Sequence, residues 1–253
     1  MWHSYHVSLV ALHGGDLATI LARTLAPALV RLAADGDAHR FFHLFYREER
    51  LELRLRIQAQ PSARQAHLDA LAPLAAAFGA AGVRLVPYSR ETHYFGETWD
   101  SVYAEVMNGH TSTLALSFQA RTWPDRSTLA LATALTISTL WSEALRGDAR
   151  EGLSRSVAFA RRHAASADAP TPSPSLAALR TMADALKGPL ESRQDVRALA
   201  ALIRRSIHRG GQGLFVGVHA LHLFCNKLGF SFEEERIICE TARTAYDQLL
   251  ADR

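Results

Sequence analysis

The stretch Leu51 to Ile57, LELRLRI, constrains the fold more than any other part of the 253-residue chain. Leu51, Leu53, Leu55 and Ile57 alternate without error against Glu52, Arg54 and Arg56, and a period of two belongs to an extended strand. One face is therefore core, while the other presents two guanidiniums. From the pattern alone two readings of that charged face stay open. Antiparallel sheets commonly leave one face wet, which would make the charges merely solvated. If later helices cover the face, the buried arginines need partners and mark a site.

The flanking segments supply the rest of a sheet. Tyr5, Val7 and Leu9 alternate with polar residues from His3 to Leu9, which predicts a half-buried strand. Leu17, Ile20, Leu21, Leu25, Ala28, Leu29 and Leu32 recur at helical spacing behind Asp16 as N-cap, with Pro27 predicting a kink or an early stop. Arg40 to Tyr46 is aromatic and favours a strand, and the polar REER at positions 47 to 50 reads as a hairpin turn into Leu51. Pro61 and Ser62 introduce a helix with Leu68, Leu71, Leu74 and Phe78 on one side and Pro73 in its middle, ended by Gly79 and Gly82. Val83 to Tyr88 is a last strand. The order β, α, β, β, α, β predicts a ferredoxin-like α+β part over residues 1–97.

After Gly96 the period becomes helical. Ser101 to Phe118, Ser127 to Leu145, Gly152 to Ala165, Leu176 to Leu186 and Gln194 to Ile207 read as helices, and a final one starts at Ser231, where Ser231 and Glu234 match a capping box. The segment SADAPTPSPS, residues 166–175, reads as a connector rather than a lid. Residues 98–253 are thus expected to form a helical part packed on the sheet, within one domain spanning 1–253.

Composition narrows the function classes. A net charge of +3 without any dense basic run gives no nucleic-acid footprint. Nothing resembles a signal peptide or an uninterrupted membrane span, so the chain reads as cytoplasmic with no membrane partner. Cys225 and Cys239 lack metal-ligand spacing, and the 12 histidines include no HExxH pair, so no metal is expected. No Gly-rich phosphate loop and no nucleophile elbow is present; Ser112 sits between Thr111 and Thr113. No cofactor is implied.

Against that background HALHLFCNKL, residues 219–228, stands out. On a helix His222 lies one turn after Val218 and one turn before Asn226. A single helical histidine is more often a satisfied core residue, but with a substrate in reach it serves as general acid or base. Gly210, Gly211 and Gly213 just upstream would let a peptide backbone approach closely. Arg54 and Arg56 can hold a carboxylate or polarise peptide carbonyls with forked hydrogen bonds. Glu91 is a candidate partner for them and Tyr94 a candidate donor. Trp99 and Tyr103 suit a pocket wall or core filling equally.

The opening WHSYHVSL, the block FFHLFYREERLELRLRI, the segment Tyr88 to Gly96 and the helix HLFCNKLG, in this order, resemble the thiopeptide-type bacteriocin biosynthesis domain. That domain is similar to the C-terminal glutamate-elimination part of class I lantibiotic dehydratases. The resemblance spans nearly the whole chain, through short motifs. It places Arg54 and Arg56 on the two arginines of the family's HLRLR block, His222 on its histidine, and Asn226, Lys227 and Leu228 on its Asn-Arg-Leu triplet. Two positions depart. The block's usual histidine is Glu52, and the eliminase pattern Glu-x-x-Arg-Tyr-Gly becomes Glu91, Thr92, His93, Tyr94, Phe95, Gly96, with tyrosine in place of an arginine.

Glutamate elimination needs a cationic hold on the leaving carboxylate and a base for the α-proton, so the missing arginine weakens an eliminase reading. The family also includes stand-alone pyridine synthases. The resemblance therefore implies a lyase or cyclase joining two dehydroalanines of a modified precursor peptide in a formal aza-[4+2] cycloaddition, with loss of water and of the leader peptide. His222 and Tyr94 would be catalytic, and Arg54, Arg56, Glu91 and Asn226 would bind substrate. The partner is a ribosomally synthesised precursor peptide with its leader, in the company of other biosynthetic enzymes. A split glutamate eliminase and a non-catalytic leader-binding protein are the alternatives.

Overall fold

The computed structural model describes residues 1–13, 16–47, 51–89, 103, 106–146, 149–165, 174–191, 194–208 and 213–249. It is an α+β protein with two compact units, Met1–Thr122 with Asn226–Gly229, and Trp123–Cys225 with Phe230–Arg253. The part boundary expected at residue 97 lies outside the described residues.

In the first unit, strands β1 (Trp2–Ser8), β2 (Arg40–Arg47), β3 (Leu51–Gln58) and β4 (Arg84–Val86) form one sheet in the order β2-β3-β1-β4. Every pairing is antiparallel, with Leu55 opposite Tyr5 on β1 and His43 on β2. This is the split β-α-β order of a ferredoxin-like sheet, as the sequence predicts. The aliphatic face of β3 enters the core with Tyr5, Val7, Phe45, Leu71, Leu74 and Phe78.

The first crossover runs as α1 (Leu17–Ile20), a π turn (Leu21–Leu25) and α2 (Ala26–Ala34). Asp16 caps it by accepting the Thr19 N–H at 2.8 Å. Pro27 neither stops nor ends this helix. It has no N–H for the carbonyl of Arg23, and the widened turn before it, where the Ala26 N–H reaches the Leu21 carbonyl, makes room for the ring. Leu17–Ala34 is long and apolar enough to cross a membrane, yet Leu21, Leu25, Leu29 and Leu32 are buried in the core of this unit. The second crossover is α3 (Arg64–Ala77), behind a single 3-10 turn at Pro61–Ala63. Gly79 closes it with φ +62°, a left-handed conformation that suits glycine. A second π turn, Val106–His110, leads into α4 (Thr111–Gln119), and both pack on β2.

The second unit is helical: α5 (Arg126–Ala144), α6 (Arg150–His163), α7 (Leu176–Glu191), α8 (Gln194–His208), α9 (Gly213–Lys227) and α10 (Phe232–Leu249). The last two residues of α9, Asn226 and Lys227, group with the first unit. Helix α5 packs against α8 and α10, and α10 also against α6. Trp141 on α5 is fully buried and donates its indole N–H to the Ser156 hydroxyl at 3.0 Å. It needs bare backbone beside it, because a Cβ on Gly152 or Gly217 would come within 2.3 Å or 2.4 Å of its ring. The capping box forms as read, with the Ser231 N–H donating to Glu234 at 2.8 Å and the Glu234 N–H to the Ser231 hydroxyl at 3.3 Å.

Candidate functional site

The polar face of β3 is not an open surface. Arg56 is only 7 % exposed, and Ser4 and Phe42, its neighbours across the ladder on β1 and β2, are buried. Arg56 is therefore not a merely solvated charge, and a guanidinium kept from water needs partners. Arg54 donates through Nε to Glu52 Oε2 at 2.8 Å and lies over the Tyr46 ring, 4.0 Å from its centroid. Arg84 reaches the other oxygen of the same carboxylate. The Arg56 guanidinium lies 5.9 Å from the Phe42 ring and 5.7 Å from that of Tyr88, and Trp2 meets both rings.

Glu52 also faces His6, whose Nδ1 is 3.0 Å from Oε2, and the other ring nitrogen of His6 is 3.2 Å from the Ser4 hydroxyl. Burial pulls the His6 imidazole below its usual value, Glu52 opposing and Arg56, Arg54 and Arg84 adding to the fall. Burial alone would lift Glu52, but hydrogen bonds from Arg54 and Arg84 and the nearby His6 leave it below the ordinary carboxylate value. The line Ser4, His6, Glu52 has the order of a nucleophile, base and acid. With Ser4 buried, its evident task is to satisfy an interior imidazole.

Asn226 is engaged with the edge strand. Its Oδ1 accepts the Phe45 N–H at 2.9 Å and its Nδ2 donates to the Phe45 carbonyl at 2.8 Å, so the side-chain amide continues the ladder where, among the described residues, β2 has no further strand. A substrate group reaching Asn226 would share it with this backbone pair. Lys227 beside it is fully buried and donates Nζ to the Thr111 hydroxyl at 2.7 Å, while Gln119 donates to its carbonyl. Burial pushes its ammonium well below the usual lysine range. His43 faces the same interior, and burial, reinforced by the charge of Lys227 against a backbone contact with it, holds the imidazole at about 3.

His222 lies in the second unit, in a cluster of rings. Its plane is within 3° of parallel to Phe232 at 5.2 Å, and Phe159 and His219 adjoin it at 5.3 Å and 5.9 Å. His163 stacks on Phe232 and touches Phe159. The Nδ1 of His222 is 2.8 Å from Oε2 of Glu235, a carboxylate only 4 % exposed against 17 % for the imidazole side chain. Glu235 was not found by sequence reading. The available signal was the run Glu233, Glu234, Glu235 behind the capping Ser231: since Glu234 turns back to the cap, its neighbour points elsewhere around the helix. Cys225 and Cys239 are inert here, both thiols being pushed up by burial and further by the charge of Glu235.

The other expected site residues have a different standing. Glu91, Tyr94 and Trp99 lie outside the described residues, as do Gly210 and Gly211, while Tyr103 is described and buried. Tyr88, which opens the same segment as Tyr94, stands beside Arg56. Among the described residues no group of three or more metal-ligating side chains is placed to hold an ion.

A four-stranded ferredoxin-like sheet in one unit and a helical second unit make this an α+β protein. The chain belongs to the lantibiotic biosynthesis dehydratase C-terminal family, which it matches over residues 2–246. Solved structures that share the fold include MibB, TbtD and TsrL. The tRNA-dependent lantibiotic dehydratase MibB from Microbispora sp. 107891 is similar over the whole of this chain at 19 % identity and a TM-score of 0.62, the chain spanning 28 % of MibB. The pyridine synthase TbtD from thiomuracin biosynthesis is 14 % identical with a TM-score of 0.55, over 100 % of this chain and 99 % of its own. TsrL is 14 % identical with a TM-score of 0.57, over 99 % and 96 %. No curated protein sequence matches the chain.

Proposed function

We propose that this protein is a thiopeptide-type pyridine synthase, which binds a modified precursor peptide and joins two of its dehydroalanines by a formal aza-[4+2] cycloaddition. Loss of water and of the leader peptide then makes the ring aromatic. The observation that carries this reading over glutamate elimination is the state of Glu52. Its carboxylate already engages Arg54 and Arg84, so a leaving glutamyl carboxylate approaching Arg54 and Arg56 would find Arg54 paired and meet a like charge beside it. A cycloaddition of neutral alkenes makes no such demand. It needs two distant groups held together, an advantage worth effective molarities of about 10⁵ M or more, and a proton moved at the amide that tautomerises. The correspondence with TbtD along nearly its full length supports the same reading.

In this scheme His222 exchanges the proton and Tyr94 supplies a hydrogen bond or proton. Arg54, Arg56 and Glu91 hold peptide carbonyls and amides, and Asn226 secures the strand edge beside them. The test is incubation with a dehydrated core still joined to its leader, read by mass spectrometry. A cyclised core with free leader supports the synthase. Glutamate loss from a glutamylated peptide, with no cyclisation, would replace it by the eliminase. Leader binding without any turnover, unaffected by His222→Ala, would leave only a delivery protein.

A further inference from the structure

The pairing of His222 with Glu235 has a more specific meaning, which rests on the acid–base assignment of His222 above. An interior carboxylate facing one imidazole nitrogen at 2.8 Å requires a hydrogen between them. In the neutral ring that hydrogen sits on Nδ1, which leaves the lone pair on Nε2; among the described residues nothing hydrogen-bonds to Nε2. When Nε2 takes a proton, the positive charge that appears on the ring is met by the carboxylate already in place. Phe232, parallel to the ring, and Phe159 beside it fix the plane of the imidazole, so both rotation and tautomer are set before substrate arrives.

We propose that Glu235 is the positioning residue of the site: it holds His222 as the Nδ1–H tautomer, so that the proton exchanged with substrate enters and leaves through Nε2. The step balances within the pair and the substrate. A substrate N–H bond breaks as the Nε2–H bond forms, its electron pair stays on the substrate nitrogen, and the imidazolium later returns the proton to the departing group. The local fold supplies the geometry. The capping box turns Glu234 outward toward Ser231 and Arg126, which leaves Glu235, the next residue around the helix, directed at α9.

Two readouts test this on the full chain. In protein labelled with ¹⁵N-histidine, long-range proton–nitrogen spectra, with the His222 signals assigned by their loss in His222→Gln, should show a protonated Nδ1 and a bare Nε2. A neutral ring protonated on Nε2 would overturn the proposal whatever reaction the enzyme runs. In kinetics, Glu235→Leu should lower kcat by a factor between about 10 and the roughly 10²-fold expected of His222→Ala, with KM little changed and partial recovery in Glu235→Asp. In a His222→Ala background the same substitution should cost nothing further, because Glu235 acts through the ring. Independent, multiplying losses would overturn it, as would an unchanged kcat in folded Glu235→Leu. Should Glu235→Leu not fold, Glu235→Gln replaces it. If no cyclisation is detected but glutamate elimination is, the kinetics are read on elimination, so that failure of the synthase reading stays separate from failure of this one.

Discussion

At the scale of single residues, three histidines on this chain illustrate how burial and partner divide their roles. His43 has no access to water and is kept neutral. His6 is bracketed by a serine and a carboxylate that also serves two arginines. His222 keeps partial exposure and a dedicated carboxylate, the combination that suits proton exchange. His222→Ala is expected to lower turnover by about 10²-fold or more while leader affinity, measured by titration, is retained. Equal loss of both would mean that the ring serves the fold instead. The alternation of β3 puts Arg54 and Arg56 on one face of a strand in the sequence alone, and helical spacing puts His222 one turn before Asn226. What pattern does not carry is the partner across space: Glu52 reads as one more polar residue on a strand and Glu235 as one of three in a row. Their meaning appears only when the strand register and the cap orient them.

At the scale of elements, strands and helices were legible wherever one period dominated, as in β3 and in α5, and the capping signals at Asp16 and Ser231 act as read. Pro27 is where local rules give half of the outcome, since the helix is irregular there but does not stop. The steric conflict is real, but one widened turn absorbs it and the apolar stripe of Leu21, Leu25 and Leu29 continues into the core. Gly217 tests a similar conflict of local preference and packing. Within a helix, alanine is ordinarily favoured over glycine by roughly 1 kcal/mol. At Gly217 its methyl group would stand 2.4 Å from the Trp141 ring and 2.9 Å from Ile203, an overlap that the buried indole cannot yield to cheaply. Gly217→Ala is therefore expected to destabilise the protein by about 1–3 kcal/mol in denaturant titration. An increase in stability would show that Trp141 has room to move.

At the scale of the whole molecule, the common feature is a set of imidazoles held neutral. His3, His6, His43 and His67 all lie below their ordinary value of 6.5, burial being the first cause in each. For such groups the unfolded chain binds the proton first. Their contribution to stability is therefore complete above about pH 6.5 and is lost as pH falls below it, at about 1.4 kcal/mol per pH unit for each proton of difference. For His43 the window runs from 6.5 down to about 3. Thermal melts should show a stability that declines steeply from pH 6.5 to pH 4. In His43→Leu the slope should lessen by about one proton, and an unchanged slope would assign the acid sensitivity to other groups.

The pocket shared by His43 and Lys227 has one more consequence, for heat rather than for stability. A ring that stays neutral inside the fold at pH 5 must capture a proton from the solution when the chain opens, and the buffer that gives it up absorbs or releases its own heat of ionisation. The calorimetric enthalpy of unfolding near pH 5 should thus differ between acetate, whose ionisation heat is near zero, and a buffer with a large one. The slope of that difference counts the protons taken up on opening, by the dry imidazoles together with Lys227 and any lowered carboxylate, and its fall in His43→Leu isolates the share of that ring.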